Sequence, residues 1–410
     1  MHKIERLLQT LAPKGVEFRK IGELFKRNKG INITAAQMKE LHSDIGKVRI
    51  FAGGATKADI NYKDISKKDI INCESVIIKS RGNIGFEYYN QPFSHKNEIW
   101  SYSSKTNQML VKFLYYYLSN NQYYFQKLAQ SSSVKLPQLS VSDTDEYEVP
   151  VPPLEIQQEI VKILDAFTEL NTELNTELKA RKKQYQYYQN MLLDFKDIYS
   201  NHKDAKIKTY PKRLKTLLQT LAPKGVEFRK LGEVCEIIRG KRVTKKEILD
   251  KGKYPVVSGG IGFMGYLNEY NREENTITIA QYGTAGFVNW QNQKFWANDV
   301  CFSVIPKETL INRYLYYVLT NMQNYLYSIS NRSAIPYSIS SNNIMQITIP
   351  IPPLEIQQEI VKILDQFLAL TTDLLAGIPA EIEARKKQYE YYREKLLTFK
   401  PLTPHKEVKK

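Results

Sequence analysis

The sequence predicts an α+β protein built as an internal twofold repeat: two domains of mixed strands and helices, separated by two long antiparallel coiled-coil helices. The first observation is that PPLEIQQEIVKILD occurs at 152–165 and again, unaltered, at 352–365. The second is that LLQTLAPKGVEFRK occurs at both 7–20 and 217–230. The stretches between these copies differ, so we expect two similar frames that carry two different inserts.

Length and composition predict a folded chain with two domains. Its 410 residues are 42% hydrophobic and 11% aromatic, enough for two separate cores. No run of about 18 apolar residues occurs, and the start, MHKIERLLQT, lacks the pattern of a signal peptide. We therefore expect no membrane span and a cytoplasmic location. Cys73, Cys235 and Cys301 lack CxxC spacing, so we expect neither a disulfide framework nor a local metal motif.

The positive charge is confined to two blocks. Of the net +16, residues 1–150 carry +7 (22 Lys+Arg against 15 Asp+Glu) and residues 211–350 carry +8 (18 against 10). Residues 151–210 are neutral (9 against 9), and residues 351–410 carry +1 (10 against 9). Basic surfaces attract nucleic acid and release its counterions on contact. The pattern therefore favours a polyanion such as double-stranded DNA, with a merely soluble basic protein as the alternative.

The repeats divide the chain into five segments. We expect a first domain at 1–150, a first long helix at 151–200, a second domain at 201–350, a second long helix at 351–400 and a basic tail at 401–410. The helices end in the similar stretches ARKKQYQYYQNMLLDFK and ARKKQYEYYREKLLTFK. Each repeat therefore consists of a leading segment, a variable block and a long helix.

Each variable block has an α+β pattern. Short β-branched runs near glycines predict the strands VRIFA (48–52), SVIIKS (75–80), EIWSYS (98–103), YPVVS (254–258), NTITIAQ (275–281) and DVCFSVI (299–305). One helix closes each block, at about 112–128 and 313–329, and a Ser-rich turn follows it. We expect equivalent folds with different loop chemistry.

The two long helices carry apolar residues at steps of three and four, which indicates a coiled-coil seam. Residues of these helices that we expect to pack on the other helix or on partner subunits are Leu154, Ile156, Ile160, Ile163, Phe167, Leu170, Leu174, Tyr185, Tyr188, Ile356, Ile360, Ile363, Phe367, Tyr389 and Tyr392. Pro152 and Pro153 suit the first turn of a helix. Pro379, inside AGIPAEIE, predicts a kink or short break. The alternative is that each helix packs only on its own domain.

A tetrad repeat, TELNTELNTEL, occupies 168–178 of the first long helix. Four residues advance a helix by ~6 Å and rotate it by about 40° beyond a full turn. Whole tetrads therefore change the length of a helix in near-register steps. An ordinary exposed helix with a leucine stripe is the alternative interpretation.

Polar loops beside the glycines form the candidate DNA-reading surface. Phosphate contacts position a protein on DNA, whereas base-edge contacts by Arg, Lys, Asn and Gln specify sequence. In the first block the candidates are Lys26, Arg27, Lys29, Lys57, Lys79, Arg81, Asn83 and Lys135. In the second block they are Arg239, Lys241, Arg242, Lys245, Gln281, Tyr282, Asn331 and Arg332. Each of them, taken alone, is also explained as a solvated surface group.

Motifs for catalysis are weak or missing from the sequence. GIGFMG, at 260–265, matches G-x-G-x-x-G, but the residues after it predict turns and a strand where a nucleotide site needs a helix. A glycine-rich loop between strands is the better interpretation. No P-loop motif occurs, and no His, Ser or Cys has the sequence surroundings of an activated nucleophile. We expect no catalytic residue and no metal ligand.

Taken together, these features resemble the specificity (S) subunit of type I restriction–modification enzymes. The resemblance rests on the order of variable block, PPLEIQQEIVKILD helix, variable block and PPLEIQQEIVKILD helix, on the ARKKQY helix ends, and on the TELN tetrads. It covers essentially the whole chain. The glycine and proline within AGIPAEIE depart from the uniform spacer helix of that family.

This resemblance implies a division of labour. Each variable block would be a target-recognition domain, and the helices would form an antiparallel spacer on which two modification subunits dock. Those subunits would hold S-adenosylmethionine and methylate adenines in double-stranded DNA, so that this chain would be non-catalytic and bind no cofactor. Restriction subunits with motor and nuclease activity would join for cleavage.

Three alternatives stay open at this point. One is the specificity subunit of another restriction system that cuts on both sides of its site. The second is a structural coiled-coil adaptor, which would lack salt-sensitive DNA binding. The third is a self-sufficient enzyme, which would transfer methyl groups or cleave DNA without a partner.

Overall fold

The computed structural model describes residues 2–130, 136–195, 210–333, 335–372 and 377–402. The α-helices are α1 His2–Leu11, α2 Ile21–Leu24, α3 Ala35–Leu41, α4 Val111–Asn120, α5 Gln122–Gln130, α6 Val141–Asp145, α7 Leu154–Leu193, α8 Lys212–Leu221, α9 Leu231–Val234, α10 Asn312–Asn321, α11 Gln323–Ser328, α12 Ser341–Met345, α13 Leu354–Thr372 and α14 Ile378–Leu397. The strands are β1 Phe18–Lys20, β2 Phe25–Asn28, β3 Val48–Phe51, β4 Lys57–Ile60, β5 Ser75–Lys79, β6 Gly85–Tyr89, β7 Phe93–His95, β8 Trp100–Ser104, β9 Glu148–Pro150, β10 Glu227–Lys230, β11 Cys235–Arg239, β12 Tyr254–Val257, β13 Tyr266–Leu267, β14 Thr276–Ala280, β15 Val288–Gln291, β16 Trp296–Ala297, β17 Cys301–Pro306 and β18 Thr348–Ile351. Two 3-10 turns lie at Tyr62–Asp64 and Lys67–Asp69.

The chain forms two compact units. Unit 1 comprises Met1–Asn175 and Ile382–Lys410, and unit 2 comprises Thr176–Glu381. Each unit therefore contains one variable block, the start of one long helix and the end of the other. Within the described ranges, no helix is both long and apolar enough to cross a membrane.

The two variable blocks share one sheet topology. In the described part of unit 1, the strand orders are β2-β8-β5-β6, β4-β3-β7 and β1-β9. In unit 2 they are β11-β17-β14-β15, β13-β12-β16 and β10-β18, which is the same arrangement with the equivalent strands. The six strands predicted from sequence are confirmed as β3, β5, β8, β12, β14 and β17.

The prediction that one helix closes each block is wrong. In unit 1 the segment forms two helices, α4 and α5, which are separated at Asn121. Asn121 leaves helical geometry, with φ −100° and ψ 16°, while its N–H donates to carbonyls of α4. This turn lets Phe125 of α5 reach the core, where it is fully buried. Unit 2 makes the same turn at Met322 and buries Leu326.

The repeated PPLEIQQ stretch contains a buried glutamine that ties the long helix to its domain. Gln157 is fully buried, and its Nε2 donates to the carbonyls of Gln108 (2.8 Å) and Pro152 (2.7 Å). Its Oε1 accepts the N–H of Leu110 at 2.8 Å, just before α4. Gln357 makes the same three kinds of bond in unit 2, at 2.7–3.0 Å. An identical helix start is therefore needed twice because it holds two equivalent domains.

Helix α7 begins two residues later than the prolines suggest. Pro152 and Pro153 precede the helix instead of lying in its first turn, and the carbonyl of Pro153 accepts the N–H groups of Ile156 and Gln157. The reason is that proline fixes its own φ but has no N–H to contribute, so it serves equally well just outside the helix.

The predicted break in the second long helix is confirmed. Helix α13 ends at Thr372, Gly377 lies in a bend, and α14 begins at Ile378. Pro379 is then the second residue of α14, in the first turn that tolerates a missing N–H. The first long helix, by contrast, is a single α-helix of 40 residues.

Aromatic residues of the predicted seam join the two long helices within each unit. In unit 1, Phe167 stacks on Tyr392 with ring centroids 5.6 Å apart. In unit 2, Tyr188 stacks on Phe367 at 4.9 Å. An early position of the first helix thus meets a late position of the second, and the reverse, as an antiparallel pair requires.

The start of each long helix packs into the core of its own domain, which corrects part of the predicted seam. Ile156 and Ile160, which we expected to pack on the other helix or on partner subunits, are fully buried in the core of unit 1 together with Leu164. Leu164 was absent from the predicted seam, whereas its neighbour Ile163 is half-buried. Unit 2 repeats the pattern with a fully buried Leu364. Each helix start therefore packs on its own domain as well as on the other helix.

Candidate nucleic-acid interface

In unit 2 a short central strip, residues 297–300, connects several surface loops. Ala297 accepts the N–H of Lys241 at 2.9 Å, and the N–H of Asn298 donates to Val257 at 2.9 Å. Val300 accepts the N–H of Gln281 at 2.9 Å. We define the loop cluster of unit 2 as residues 239–245, 259–265, 281–284, 331–333 and 335–338.

Backbone hydrogen bonds hold the other members of this cluster together. The N–H of Gly283 donates to Tyr337 at 3.1 Å, and the N–H of Thr284 donates to Gly259 at 3.0 Å. A Cβ on Gly259 would lie 2.2 Å from the carbonyl oxygen of Tyr282, so only glycine allows the loops to approach this closely. The GIGFMG stretch is thus a loop between β12 and β13, as the sequence predicts.

The structure brings the predicted DNA-reading residues of the second block onto one loop cluster. These residues are Arg239, Lys241, Arg242, Lys245, Gln281, Tyr282, Asn331 and Arg332. All of them except the half-buried Gln281 are exposed. Segments that are about 40 and 90 residues apart in sequence therefore present their polar groups together.

Aromatic rings orient two of the cations in this cluster. The guanidinium of Arg332 lies 5.5 Å from the ring centre of Tyr327 and 5.7 Å from that of Tyr337. The ammonium of Lys241 lies 6.0 Å from Trp296, whose Nε1 donates to the Lys241 carbonyl at 2.8 Å. Such contacts hold the charge at the surface without neutralising it.

A half-buried arginine supports the start of the cluster. Arg272 donates from Nε to Ser303 Oγ (3.0 Å), from Nη1 to the Asn271 carbonyl (2.7 Å) and from Nη2 to the Arg239 carbonyl (3.1 Å). Burial lowers the pKa of Arg272 from its usual value. Arg272 thus fixes the end of β11, where the loop that carries Lys241 begins.

Unit 1 has an equivalent loop cluster, which we define as residues 28–31, 52–56, 80–83 and 136–139. Its central strip is 95–98, where His95 accepts the N–H of Ile31 at 2.7 Å. Ser80 accepts the N–H of Leu139 at 2.8 Å, and its Oγ donates to the Glu98 carbonyl. Gly82 and its counterpart Gly283 share a φ of 76°. The two clusters therefore have the same backbone plan.

The predicted residues of the first block are less concentrated than those of the second. Lys29, Arg81 and Asn83 are exposed on the loop cluster of unit 1. Lys79 pairs with Glu87 at 2.7 Å, at the end of β5. Lys57 is exposed at the start of β4.

Two further candidates of the first block, and one missed cation, lie on a cleft. Lys26 and Arg27 of β2 line a cavity of about 580 Å³ together with Lys105. Arg27 is bonded to Asp145, so part of its charge is already compensated. Lys135, the remaining candidate, lies outside the described residues.

Sequence reasoning missed the apolar members of the loop cluster of unit 2. Ile261, Phe263, Ile335 and Tyr337 are exposed in this same loop cluster. Asn298 was also missed: its Oδ1 accepts the N–H of Val243, and its Nδ2 donates to Met264 Sδ. For Ile261 and Phe263, the signal in the sequence is the pair of large apolar residues inside the glycine-rich run GIGFMG.

An aspartate of each long helix binds the domain helix that carries the loops. In unit 1, Asp165 pairs with Lys112 Nζ at 2.7 Å and accepts the Tyr116 hydroxyl at 2.6 Å. The cavity beside this pair, of about 260 Å³, is lined by residues of β6, α4 and α7. Burial, together with the bond to Asp165, raises the pKa of Tyr116 above its usual range.

In unit 2 the same aspartate binds a larger cation. Asp365 pairs with Arg313 Nε at 2.8 Å and accepts the Tyr317 hydroxyl. The guanidinium of Arg313 lies 4.8 Å from the Trp290 ring centre and 5.1 Å from that of Tyr316. The orientation of each domain on its helix is thus fixed by a charged, hydrogen-bonded contact.

Similarity to known proteins defines the class to which this repeated, basic fold belongs: proteins that recognise DNA for modification and restriction. The family described as type I restriction modification DNA specificity domain matches residues 13–183 and 223–384. These two matches cover one repeat each and most of the chain. The chain therefore belongs to the type I restriction–modification specificity subunits, and its role is DNA recognition.

Individual relatives agree with this assignment. A putative type I specificity subunit of Mycoplasma pneumoniae is 30% identical over 333 residues, which cover 76% of this chain and 89% of the relative. A second one from that organism is 33% identical over 260 residues, covering 62% and 97%. The specificity subunit of an Escherichia coli type I restriction enzyme is 30% identical over 331 residues, covering 73% and 74%.

Solved structures share the fold. The S subunit of a type I restriction-modification system from M. genitalium superposes with a TM-score of 0.64 at 20% identity, covering 93% of this chain and 96% of that one. A chain from a study of complex assembly in the type I R-M system gives 0.54 at 16% identity, covering 93% and 97%.

Proposed function

We propose that this chain is the non-catalytic reading subunit of a type I restriction–modification complex. The first domain, at 1–150, reads one short half-site, and the second, at 201–350, reads another. The long helices, at 151–200 and 351–400, set the unread gap between the half-sites and dock the modification subunits.

The observation that carries this proposal is the contrast between frame and loops. The contacts that hold each domain, through Gln157 and Gln357, are the same, whereas the loop clusters carry different side chains. Base identity is read by the pattern of donors, acceptors and apolar groups that a protein presents. The two loop clusters share a backbone arrangement but present different side chains. Such a pair therefore suits an asymmetric target made of two parts.

We further propose partners for this chain. Double-stranded DNA binds the two loop clusters, and two modification subunits, which hold S-adenosylmethionine, bind the long helices. This chain itself holds no cofactor. Restriction subunits join the same complex when it cleaves. The TELN tetrads support the spacing role, because whole tetrads change helix length without a large change of rotation.

The test is genome-wide mapping of methylated adenines in cells with and without the gene. We expect one asymmetric motif, made of two short half-sites and a fixed gap, to be methylated only when the gene is present. Methylation of the same motif in the deletion strain would contradict the proposal. So would DNA binding by the assembled complex that does not weaken with salt, because phosphate contacts release counterions.

A further inference from the structure

Large apolar side chains are exposed at the tips of the loop cluster of unit 2. Ile335 is 97% exposed, Ile261 is 67% exposed and Phe263 is 48% exposed. Exposing side chains of this size forgoes the favourable free energy that their burial would provide. Clustered exposure of this kind marks a surface that meets a partner.

The loops that carry these side chains are anchored at several points. Gly259, which precedes Ile261, accepts both the N–H and the hydroxyl of Thr284, at 3.0 and 2.7 Å. Met264, which follows Phe263, donates its N–H to Val256 at 2.9 Å. On the other loop, Asn331 and Ser338 exchange backbone hydrogen bonds on either side of Ile335. Backbone hydrogen bonds therefore hold the ends of the loops that carry these apolar side chains.

The loop cluster that carries these tips also carries exposed cations, and their charge points to the occupant. Arg332 lies three residues from Ile335, and Lys241 and Arg242 belong to the same loop cluster. Residues 211–350, which contain the cluster, carry a net charge of +8. A polyanion is attracted to such a surface, and a polyanion with an apolar interior is a nucleic-acid duplex, whose stacked bases lie between its phosphates.

The matching loop of unit 1 has no such side chains. Residues 52–56 read AGGAT, whereas residues 258–265 read SGGIGFMG. Position 81 is an arginine in unit 1, while the equivalent Tyr282 is an exposed aromatic in unit 2. Ile261 and Phe263 are therefore a property of the second domain, whereas the loop of unit 1 that corresponds to the loop of Ile335 carries an exposed apolar residue of its own, Leu136.

We infer that Ile261, Phe263 and Ile335 insert against the base stack and open one base step in the half-site that the second domain reads. This inference rests on the proposed function and adds a mechanism of recognition to it. Apolar wedges of this kind part base steps and kink the duplex. The energy to open a step depends on its sequence and is lowest at flexible pyrimidine–purine steps, so the wedge contributes specificity beyond hydrogen bonding.

The experiment uses the full chain assembled with its modification subunit and duplexes that carry 2-aminopurine at successive positions of that half-site. We expect raised fluorescence at a step other than the methylated adenine, because an unstacked 2-aminopurine is no longer quenched by its neighbours. The double variant Ile261→Ala, Phe263→Ala should lose this signal and bind at least about tenfold more weakly. The slope of affinity against salt should stay unchanged, since apolar groups release no counterions.

Three further variants serve as controls for the chemistry of the wedge, for its position and for the salt dependence. Phe263→Leu keeps an apolar wedge and should retain most of the signal. Leu221→Ala removes an exposed apolar side chain from α8, outside the loop cluster, and should change neither signal nor affinity. Arg332→Ala should instead lower the salt slope, because it removes a phosphate-binding cation.

The outcomes separate the inference from the proposed function. If the wild-type complex shows no sequence-specific binding, the proposed function fails. If it binds specifically but the double variant keeps both affinity and fluorescence, the wedge alone is refuted. If the double variant no longer assembles with the modification subunit in size-exclusion chromatography, the tips are a protein-docking surface and the wedge is again refuted.

Discussion

The two units share the same sheets and the same attachment to a long helix, but their loop clusters carry different side chains. Comparing them separates the residues that hold a domain in place from the residues proposed to read DNA. Gln157 and Gln357 are both fully buried and make the same three bonds to their domains. The central strips, by contrast, differ in charge. Unit 1 has Lys96 paired with Glu98 at 3.1 Å, where unit 2 has the neutral Asn298 at the position of Lys96. The residues that hold each domain to its long helix are kept, and the residues of the proposed reading surface differ.

A second difference lies in how the cations are used. In unit 1, two of the candidate cations have carboxylate partners, Lys79 with Glu87 and Arg27 with Asp145. In unit 2, Lys241 and Arg332 lie against aromatic rings. An ion pair compensates the charge, whereas a ring only orients it. We therefore expect the second domain to contribute more of the salt-dependent affinity for DNA.

The largest expected effect concerns the two long helices. Deleting Asn171–Leu174, one tetrad, shortens the first helix by ~6 Å, close to two base-pair rises of about 3.4 Å. Methylation at the original sites should be lost and should reappear at sites with the same half-sites and a changed gap. Methylation mapping measures both. As a control, replacing the same four residues with alanines keeps the length and should keep the original gap.

The buried glutamines test whether the frame is equivalent in the two units. Gln157→Leu leaves the N–H of Leu110 and two carbonyls without their partner, which costs about 3 kcal/mol of unfolding free energy. Gln357→Leu should cost the same in unit 2. Urea unfolding measures both values, with the exposed neighbour Gln158→Leu as the control. Clearly unequal losses would contradict the equivalence.

A buried histidine should make unit 1 more sensitive to acid than unit 2. Burial lowers the pKa of His95 to about 4, and the equivalent residue is Ala297. Because the unfolded histidine titrates near 6.5, the unfolded state binds the proton first as pH falls. The stabilisation is therefore complete above pH 6.5 and is lost between 6.5 and 4, at a cost of about 3 kcal/mol.

Hydrogen exchange as a function of pH measures this effect locally. Amides of β7 and β8, around His95, should lose protection between pH 6.5 and 4, whereas those of β16 and β17 should change less. His95→Gln should flatten the response of unit 1. Equal loss of protection in both units, or a response unchanged by the substitution, would refute the assignment to His95.

The aspartate contacts predict a smaller difference between the units. Arg313→Ala removes an ion pair and stacking on Trp290 and Tyr316, so it should destabilise unit 2 by about 2 kcal/mol. Lys112→Ala removes an ion pair and a contact with one ring, Tyr88, and should cost about 1 kcal/mol. Denaturant unfolding checks the order. The loss of stability caused by Arg313→Lys should lie between these two losses, because lysine keeps the charge but cannot stack as a planar group.

Periodicity, glycine punctuation and Pro379 were sufficient to predict the repeat, the six strands and the interruption of the second long helix, which lies just before Pro379. They failed where tertiary contacts decide. The turns at Asn121 and Met322 split helices whose apolar pattern continues, because the core needs Phe125 and Leu326 on a redirected segment. Leu164 lies on a face that the heptad pattern assigns to solvent, but the domain covers it.

The candidate interface could be predicted only in part for a similar reason. Residue type and charge pointed to Lys241 and Arg332, but the hydrogen bonds that bring their loops together join distant segments and leave no local pattern. Gln157 is one polar residue among several in PPLEIQQEIVKILD, and the sequence does not distinguish it from the exposed Gln158. Burial alone separates their roles.

The most direct test of the central claim is an exchange of the second domain, residues 231–347, for that of a relative, followed by mapping of methylated adenines. The account predicts that one half-site changes to that of the relative, while the other half-site and the gap remain. A change in both half-sites, or in neither, would contradict the claim that two independent domains on a common frame read the two halves of the target.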